Sequence, residues 1–241
     1  ALFLVFSLSG GDADARQASS QTGASWIEMT TDQAKSIERG LEYLARTQNA
    51  NGSWGNGAAP VATTAIAGLG FLAGGHVPGR SRYGENGKRA IQFLLSRRHK
   101  TGRARGYINE GAARNAGGSG MHGHGYAILF LAEAYGMTAG IADVDTDVLK
   151  EAVTDGVRVI ETSQCPNGGW NYEPNPSFDE GSVTVTEVQA LRASRNAGIR
   201  VDLKTIEKAV DYINKSTDAS GQTRYSLTSG GHSSFALTAA G

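Results

Sequence analysis

A single cysteine, Cys165, stands among the 241 residues. No intrachain disulfide can form, so the core must be held by packing rather than by cross-links. Net charge is also lacking, because 23 basic and 23 acidic residues cancel. With no basic run interleaved with aromatics, nucleic acid is not the expected partner. No stretch alternates as a half-buried strand does, which removes β architectures. Long hydrophobic runs are missing too. The apolar block at residues 1–9 is too short to span a bilayer. Gly10-Gly11-Asp12-Ala13-Asp14-Ala15 follows it, with an A-x-A-like site. Together these read as the h-region and cleavage site of a secretory signal. The expectation is a signal-like remnant over residues 1–15 and a polar linker over 16–30. It continues with an exported protein, periplasmic or extracellular, that keeps no stable membrane span after signal removal.

Glycine, by contrast, is abundant: 33 residues, about twice the average usage of roughly 7%. Most lie in linkers between helix-period segments. Two linkers nearly repeat each other. Gln48-Asn49-Ala50-Asn51-Gly52-Ser53-Trp54 and Gln164-Cys165-Pro166-Asn167-Gly168-Gly169-Trp170 both read Q-x-x-x-G-x-W. The helices ahead of them also align, over residues 37–44, 87–94, 153–160 and 206–213. Each copy carries a small residue (Gly40, Ala90, Gly156, Ala209) followed by aliphatics one turn apart. The small residue is expected to let a neighbouring helix come close. The second helix of each unit, about 61–74, 122–137, 182–197 and 232 to the end, differs in kind. The first two are apolar almost all round, which marks buried helices, whereas the first helices carry charged stripes. Gly74, Gly136 and Gly198 stand where inner helices should stop. A repeat of this kind gives one domain with a shared core.

The Q-x-x-x-G-x-W repeat resembles the motif of squalene–hopene cyclases and, more loosely, the β subunits of protein prenyltransferases. The resemblance covers residues 31–241, and the nearest likeness is to exported bacterial proteins with repeats of this type. It implies an all-α fold, the α/α toroid, in which paired helices form two concentric rings around a cavity. A closed ring has six pairs. Four are legible here, the last reaching Ala239-Ala240-Gly241 inside an inner helix, so a partial ring is expected over 31–241. The resemblance also implies that Gln48, Gly52, Trp54, Gln164, Gly168 and Trp170 are structural, bracing the outer helices.

In that topology the inner helices begin at one mouth of the cavity, where helix N-termini suit anions. The residues placed there are the candidates for chemistry. Met121-His122-Gly123-His124 offers two histidines, the fourth unit offers His232, and the third offers Asp179-Glu180 followed by Thr184, Thr186 and Glu187. His122, His124, Glu180 and His232 therefore make the candidate catalytic set, as acid–base groups or as ligands. The alternative for each is a helix cap, as it is for Asp179 and Ser182. Tyr172 and Phe178 lie on the segment leading to the mouth and could line an apolar pocket. The dense basic run from Arg97 to Gly106 occupies the second unit's motif, decayed to Gly106-Tyr107. Its Arg103 and Arg105 are candidate ligand-binding residues for an anionic group. Asp143-Val144-Asp145-Thr146-Asp147 is not the D-x-D-D acid motif of the cyclases and reads as a cap. No prenyltransferase-like zinc site surrounds Cys165, so no metal is assigned, and the pattern names no cofactor. Two functions follow. One is a terpenoid cyclase or prenyltransferase-like protein acting on or binding an isoprenoid or other apolar ligand in the cavity. The other is a non-catalytic exported scaffold for peptide, glycan or lipid.

Overall fold

The computed structural model describes residues 29–55, 57, 59–110, 120–141 and 144–241. The signal-like remnant, most of the linker and Asp143 lie outside these residues. Eight helices form among the described residues: α1 Thr31–Thr47, α2 Pro60–Ala73, α3 Gly84–Ser96, α4 Gly120–Met137, α5 Thr146–Ser163, α6 Gly181–Asn196, α7 Leu203–Ser216 and α8 Phe235–Ala240. Among the described residues no strand forms, only isolated bridges such as Arg98–Ile108 and Thr217–Thr223. None of the described helices is long and apolar enough to cross a membrane.

Three of the four outer helices start on side-chain caps, and α3 starts without one. Thr30 and Gln33 make a reciprocal capping box on α1, Asp145 accepts from the Asp147 and Val148 N–H groups on α5, and Asp202 caps α7. Their apolar residues fall on one face, and the opposite face is charged. The inner helices α2, α4, α6 and α8 lie side by side, α2 on α4, α4 on α6 and α6 on α8. The outer helices lean on them: α1 and α3 on α2, α5 on α4 and α6, and α7 on α6. The result is a two-layered arc of four helix pairs, the α/α toroid architecture in part.

The core sits between the layers. Phe71, Ile128, Phe130, Leu131, Leu149 and Ile160 are fully buried, each contributing about 1.5–3 kcal/mol. Inner helices approach closely: a Cβ on Gly68 of α2 would lie 2.6 Å from the Phe130 ring of α4. The aligned small residues do not all serve this end. Gly156 of α5 lies under Ile128, but nothing lies within 4 Å of a Cβ on Gly40. Nor are all three glycine stops where expected. Gly198 has a positive φ just past α6, and Gly74 is the C-cap of α2, with the positive φ on the next residue, Gly75. Gly136 is inside α4, which runs on to Met137.

Candidate functional site

The two intact motifs have one geometry. Gln48 Nε2 donates to the Gly52 carbonyl (2.9 Å) and to the Asn86 carbonyl of α3 (3.0 Å). Gln164 Nε2 donates to Gly168 (2.9 Å) and to Thr205 of α7 (2.9 Å). The glutamine thus ties each loop to the next outer helix. Trp54 Nε1 and Trp170 Nε1 bond back to their own outer helices, at Leu44 and Ile160 (2.8 Å each). Gly52 and Gly168 adopt positive φ because their backbone lies against the Arg89 and Lys208 carbonyls.

This geometry persists where the letters change. Gly106 has φ 94° and lies against the Asp155 carbonyl, as Gly52 lies against Arg89. His99 N bonds Tyr107 O as Asn49 N bonds Ser53 O and Cys165 N bonds Gly169 O. Arg98 and Ile108 therefore hold the glutamine and tryptophan places of the second unit. In the fourth unit Thr217 and Thr223 hold them, with Asp218 N on Gln222 O. The motif of the second unit has changed sequence, not shape.

The same register explains His124. Trp54 N donates to Thr64 Oγ1 (3.0 Å), Trp170 N to Thr184 Oγ1 (3.0 Å) and Thr223 N to Thr238 Oγ1 (3.2 Å). Ile108 N donates to His124 Nδ1 (3.2 Å). Each inner helix supplies one side-chain acceptor, and in α4 it is a histidine. The other ring nitrogen, which must carry the proton, donates to the Gly156 carbonyl (3.1 Å). His124 is completely buried, and burial pushes its pKa down to about 4. Both its nitrogens are spent on backbone, so it braces α4 between the motif loop and α5.

The inner-helix N-termini are not an open anion site. Val61 N of α2 donates to Glu110 Oε1 (2.8 Å), Met121 N of α4 to Tyr172 O (2.9 Å) and Gly181 N of α6 to Tyr225 O (2.7 Å). Glu110, Tyr172 and Tyr225 each stand two residues past the tryptophan place of the following unit. Each unit caps the helix of the one before it, and the anion expected at the mouth has lost these donors.

The mouth instead carries a hydrogen-bonded cluster. Glu180, expected as a catalytic carboxylate, is the N-cap of α6 and accepts from Val183 N (2.8 Å). Ser182 Oγ donates to its carboxylate (2.7 and 2.9 Å to the two oxygens). The Ser182 oxygen therefore accepts from His122 Nε2 (2.9 Å). Burial lowers the His122 pKa, and Glu180 partly offsets this. The Tyr172 ring lies 5.9 Å from His122, with Phe178 edge-on 6.3 Å beyond, and the Tyr172 and Tyr225 hydroxyls share a hydrogen bond. Burial, then the Tyr172 hydroxyl, raise the Tyr225 phenol. Of the expected catalytic set, His122 and Glu180 come together through Ser182. His232 is exposed ahead of α8 and takes no part in this network. Among the described residues no three His, Cys, Asp or Glu side chains gather as metal ligands. Tyr225 was legible only once the fourth unit's register is known.

Below the mouth, α4 is packed by α2, α5 and α6. Of its half-exposed residues, His122, Tyr126, Leu129 and Glu133 fall on one stripe, on the face that α2, α5 and α6 leave open toward the concave side of the arc. Ile66 and Leu69 of α2 and Ser182, Val185 and Val188 of α6 flank it. An apolar belt thus runs between polar ends, about 16 Å from His122 to Glu133 at 1.5 Å per residue. Burial raises the Glu133 carboxyl.

Glu187 lies deeper, between α6 and α4, where a Cβ on Gly125 would be 3.1 Å from its Oε1. It is fully buried, and neither oxygen has a hydrogen-bond partner among the described residues. Burial raises its pKa well above the ordinary 4.5. Its stability contribution is therefore full below about 4.5 and declines as pH rises toward the folded pKa. Glu187→Met keeps similar volume and removes both oxygens. It is expected to stabilise the fold by about 1–3 kcal/mol at pH 7 and to abolish that decline. Urea midpoints of both chains at pH 4.5 and pH 8 check this, and a lower midpoint for the variant at pH 8 would refute it.

The remaining expected residues lie elsewhere. Arg105 bonds Asp155 of α5 through Nε (2.8 Å) and Glu151 through Nη2 (3.4 Å), on the outer layer, and Arg103 lies in the same loop. Cys165 is buried, its thiol donates to the Phe178 carbonyl, and burial pushes its pKa up to about 11.

No family model matches the chain, and no curated protein matches it. Among solved structures it is similar to two variants of the type II terpene cyclase MstE from Scytonema, both in complex with the substrate geranylgeranyl dihydroxybenzoate. Each shows 16% sequence identity and a TM-score of 0.48, over 81% of this chain and 52% of the other. The chain therefore spans about half the length of the structures it matches.

Proposed function

We propose that the chain forms one wall of a terpenoid-cyclase-like toroid that holds an elongated apolar ligand of isoprenoid type along its concave face. The carrying observation is the belt of Ile66, Leu69, Tyr126, Leu129, Val185 and Val188, apolar side chains left partly open on inner helices. Partly open apolar surface framed by polar groups suits a ligand site. At the mouth, His122, Ser182 and Tyr225 offer hydrogen bonds to a polar head, with Phe178 and Tyr172 as its apolar rim. The chain Glu180–Ser182–His122 can also pass a proton, so His122 and Glu180 carry any acid–base step. The signal-like start supports an exported setting.

A second reading, a non-catalytic exported scaffold for peptide, glycan or lipid, is favoured by one detail. Glu180 is already engaged as the cap of α6 and as the acceptor for Ser182. A dansylated geranylgeranyl probe, followed by fluorescence, tests the first reading. Saturable binding is expected, weakened about tenfold or more by Leu129→Asp, which sets a charge in the belt. Equal binding by both folded chains would sink the concave-face assignment. Binding with the probe recovered chemically intact would move the assignment to the scaffold.

A further inference from the structure

On the outer layer, away from the concave face, the loop over residues 97–106 packs on α5. Between them lies a groove of about 280 Å³ lined by Gly102, Arg103, Arg105, Arg158, Val159 and Thr162. Asp155, only 7% exposed at its side chain, holds Arg105 (Nε, 2.8 Å) and Arg158 (Nη2, 3.0 Å) beside each other. Neither arginine spends all five of its N–H donors there. Arg98, 8% exposed, reaches Glu151 at 3.3 Å, but its Nη1 is 3.9 Å from Asp155 and makes no hydrogen bond. Arg103 forms neither a hydrogen bond nor an ion pair within the described residues. Four guanidinium charges (Arg98, Arg103, Arg105, Arg158) thus meet two carboxylates (Glu151, Asp155), which leaves two positive charges uncompensated.

That excess is more than packing needs. In the intact motifs a neutral glutamine fills the place of Arg98 and links the loop to the next helix without any charge. We propose that the groove is a binding site for a phosphate-type oxyanion, separate from the concave face. A phosphate ester carries about −1.5 to −2 charges near neutral pH, which matches the excess. Guanidinium forks fixed by a buried carboxylate suit such an oxyanion, because little side-chain freedom is lost on binding. Arg103 closes over the ligand, and Arg105 and Arg158 form the preset floor.

Arg103 supports no other contact, so Arg103→Gln leaves the fold intact. Titration of the whole chain with inorganic phosphate at fixed ionic strength is expected to show one saturable site with a Kd of about 1 mM. Arg103→Gln is expected to weaken it about fivefold to tenfold, and Arg103→Glu to abolish it. Sulfate should compete and chloride should not. Sedimentation with phosphatidylcholine vesicles containing phosphatidate separates two sources of the anion. Arg103-dependent capture assigns it to a lipid headgroup, and phosphate binding without capture assigns it to a soluble ester. Uptake that is unsaturable, or the same in wild type and Arg103→Glu, would overturn the proposal. Geranylgeranyl-probe binding is unaffected by these variants, so the two sites fail or succeed independently.

Discussion

Asp179→Asn is expected to cost about 3–5 kcal/mol, because it removes a buried charge from the centre of a hydrogen-bond hub. Asp179 is 1% exposed. Its Oδ2 accepts from Tyr212 of α7 (2.8 Å) and Leu227 N (2.6 Å), and its Oδ1 accepts from Asn167 (2.8 Å), Thr228 N (3.1 Å) and the Thr228 hydroxyl. Five donors converge on two oxygens. An asparagine offers one oxygen and turns an NH₂ toward the other donors, so repulsion replaces attraction on that side. The same hub sets an acid limit. Burial alone would raise the carboxyl, but the bonds from Thr228, Leu227, Tyr212 and Asn167 outweigh it and hold the pKa at about 2, against an ordinary 3.8. A depressed folded pKa gives stability that is present above about 4 and is lost as pH falls toward 2. Urea unfolding at pH 7 and acid titration of the helical signal check both parts. A variant within about 0.5 kcal/mol of wild type, or one with the same acid transition, would refute the hub.

Gly168→Ala is expected to cost about 3 kcal/mol or more, on two counts. Gly168 sits at φ 97°, where a side chain is strained by about 1–2 kcal/mol. The added Cβ would also lie 2.1 Å from the Lys208 carbonyl oxygen and 2.7 Å from its carbon. Those are backbone atoms of α7 and cannot rotate away. The helix must move off the loop, and the Gln164 bond to Thr205 goes with it. Gly198→Ala supplies the control, since Gly198 has φ 82° and nothing lies within 4 Å of its Cβ. It should cost only the strain, about 1–2 kcal/mol. Matched denaturant midpoints separate the terms, and equal costs would mean that the close approach contributes nothing.

The helices were legible because their signals are local and periodic. Charged stripes marked α1, α3, α5 and α7, and all-round apolarity marked α2 and α4. The two Q-x-x-x-G-x-W loops gave the spacing of the units. What the letters hid is that one geometric place tolerates different residues if it keeps a single atom type. Thr64, His124, Thr184 and Thr238 share only a side-chain acceptor, so His124 looked like chemistry while serving as a brace. Arg98 and Ile108 replace Gln and Trp, so the second motif looked lost. At the mouth, His122 and Glu180 could be named from their spacing, but Ser182 as the link and Tyr225 as a wall depend on how neighbouring units pack. Glu187 shows the same limit: its partnerless state is a property of α4 and α6 together, not of its own segment.

Handing an early N–H of α2, α4 and α6 to the unit after each gives the array a one-way dependency. Tyr172 finishes α4 and Tyr225 finishes α6, but neither owes its own backbone to the helix it completes. Sequence repeats and autonomous pieces are therefore out of phase. A segment excised at the repeat boundaries would take away its neighbour's closing acceptor and bring none for itself. Grafts or deletions that respect independence must cut two residues past the tryptophan place, so that each transplanted helix travels with the residue that completes it.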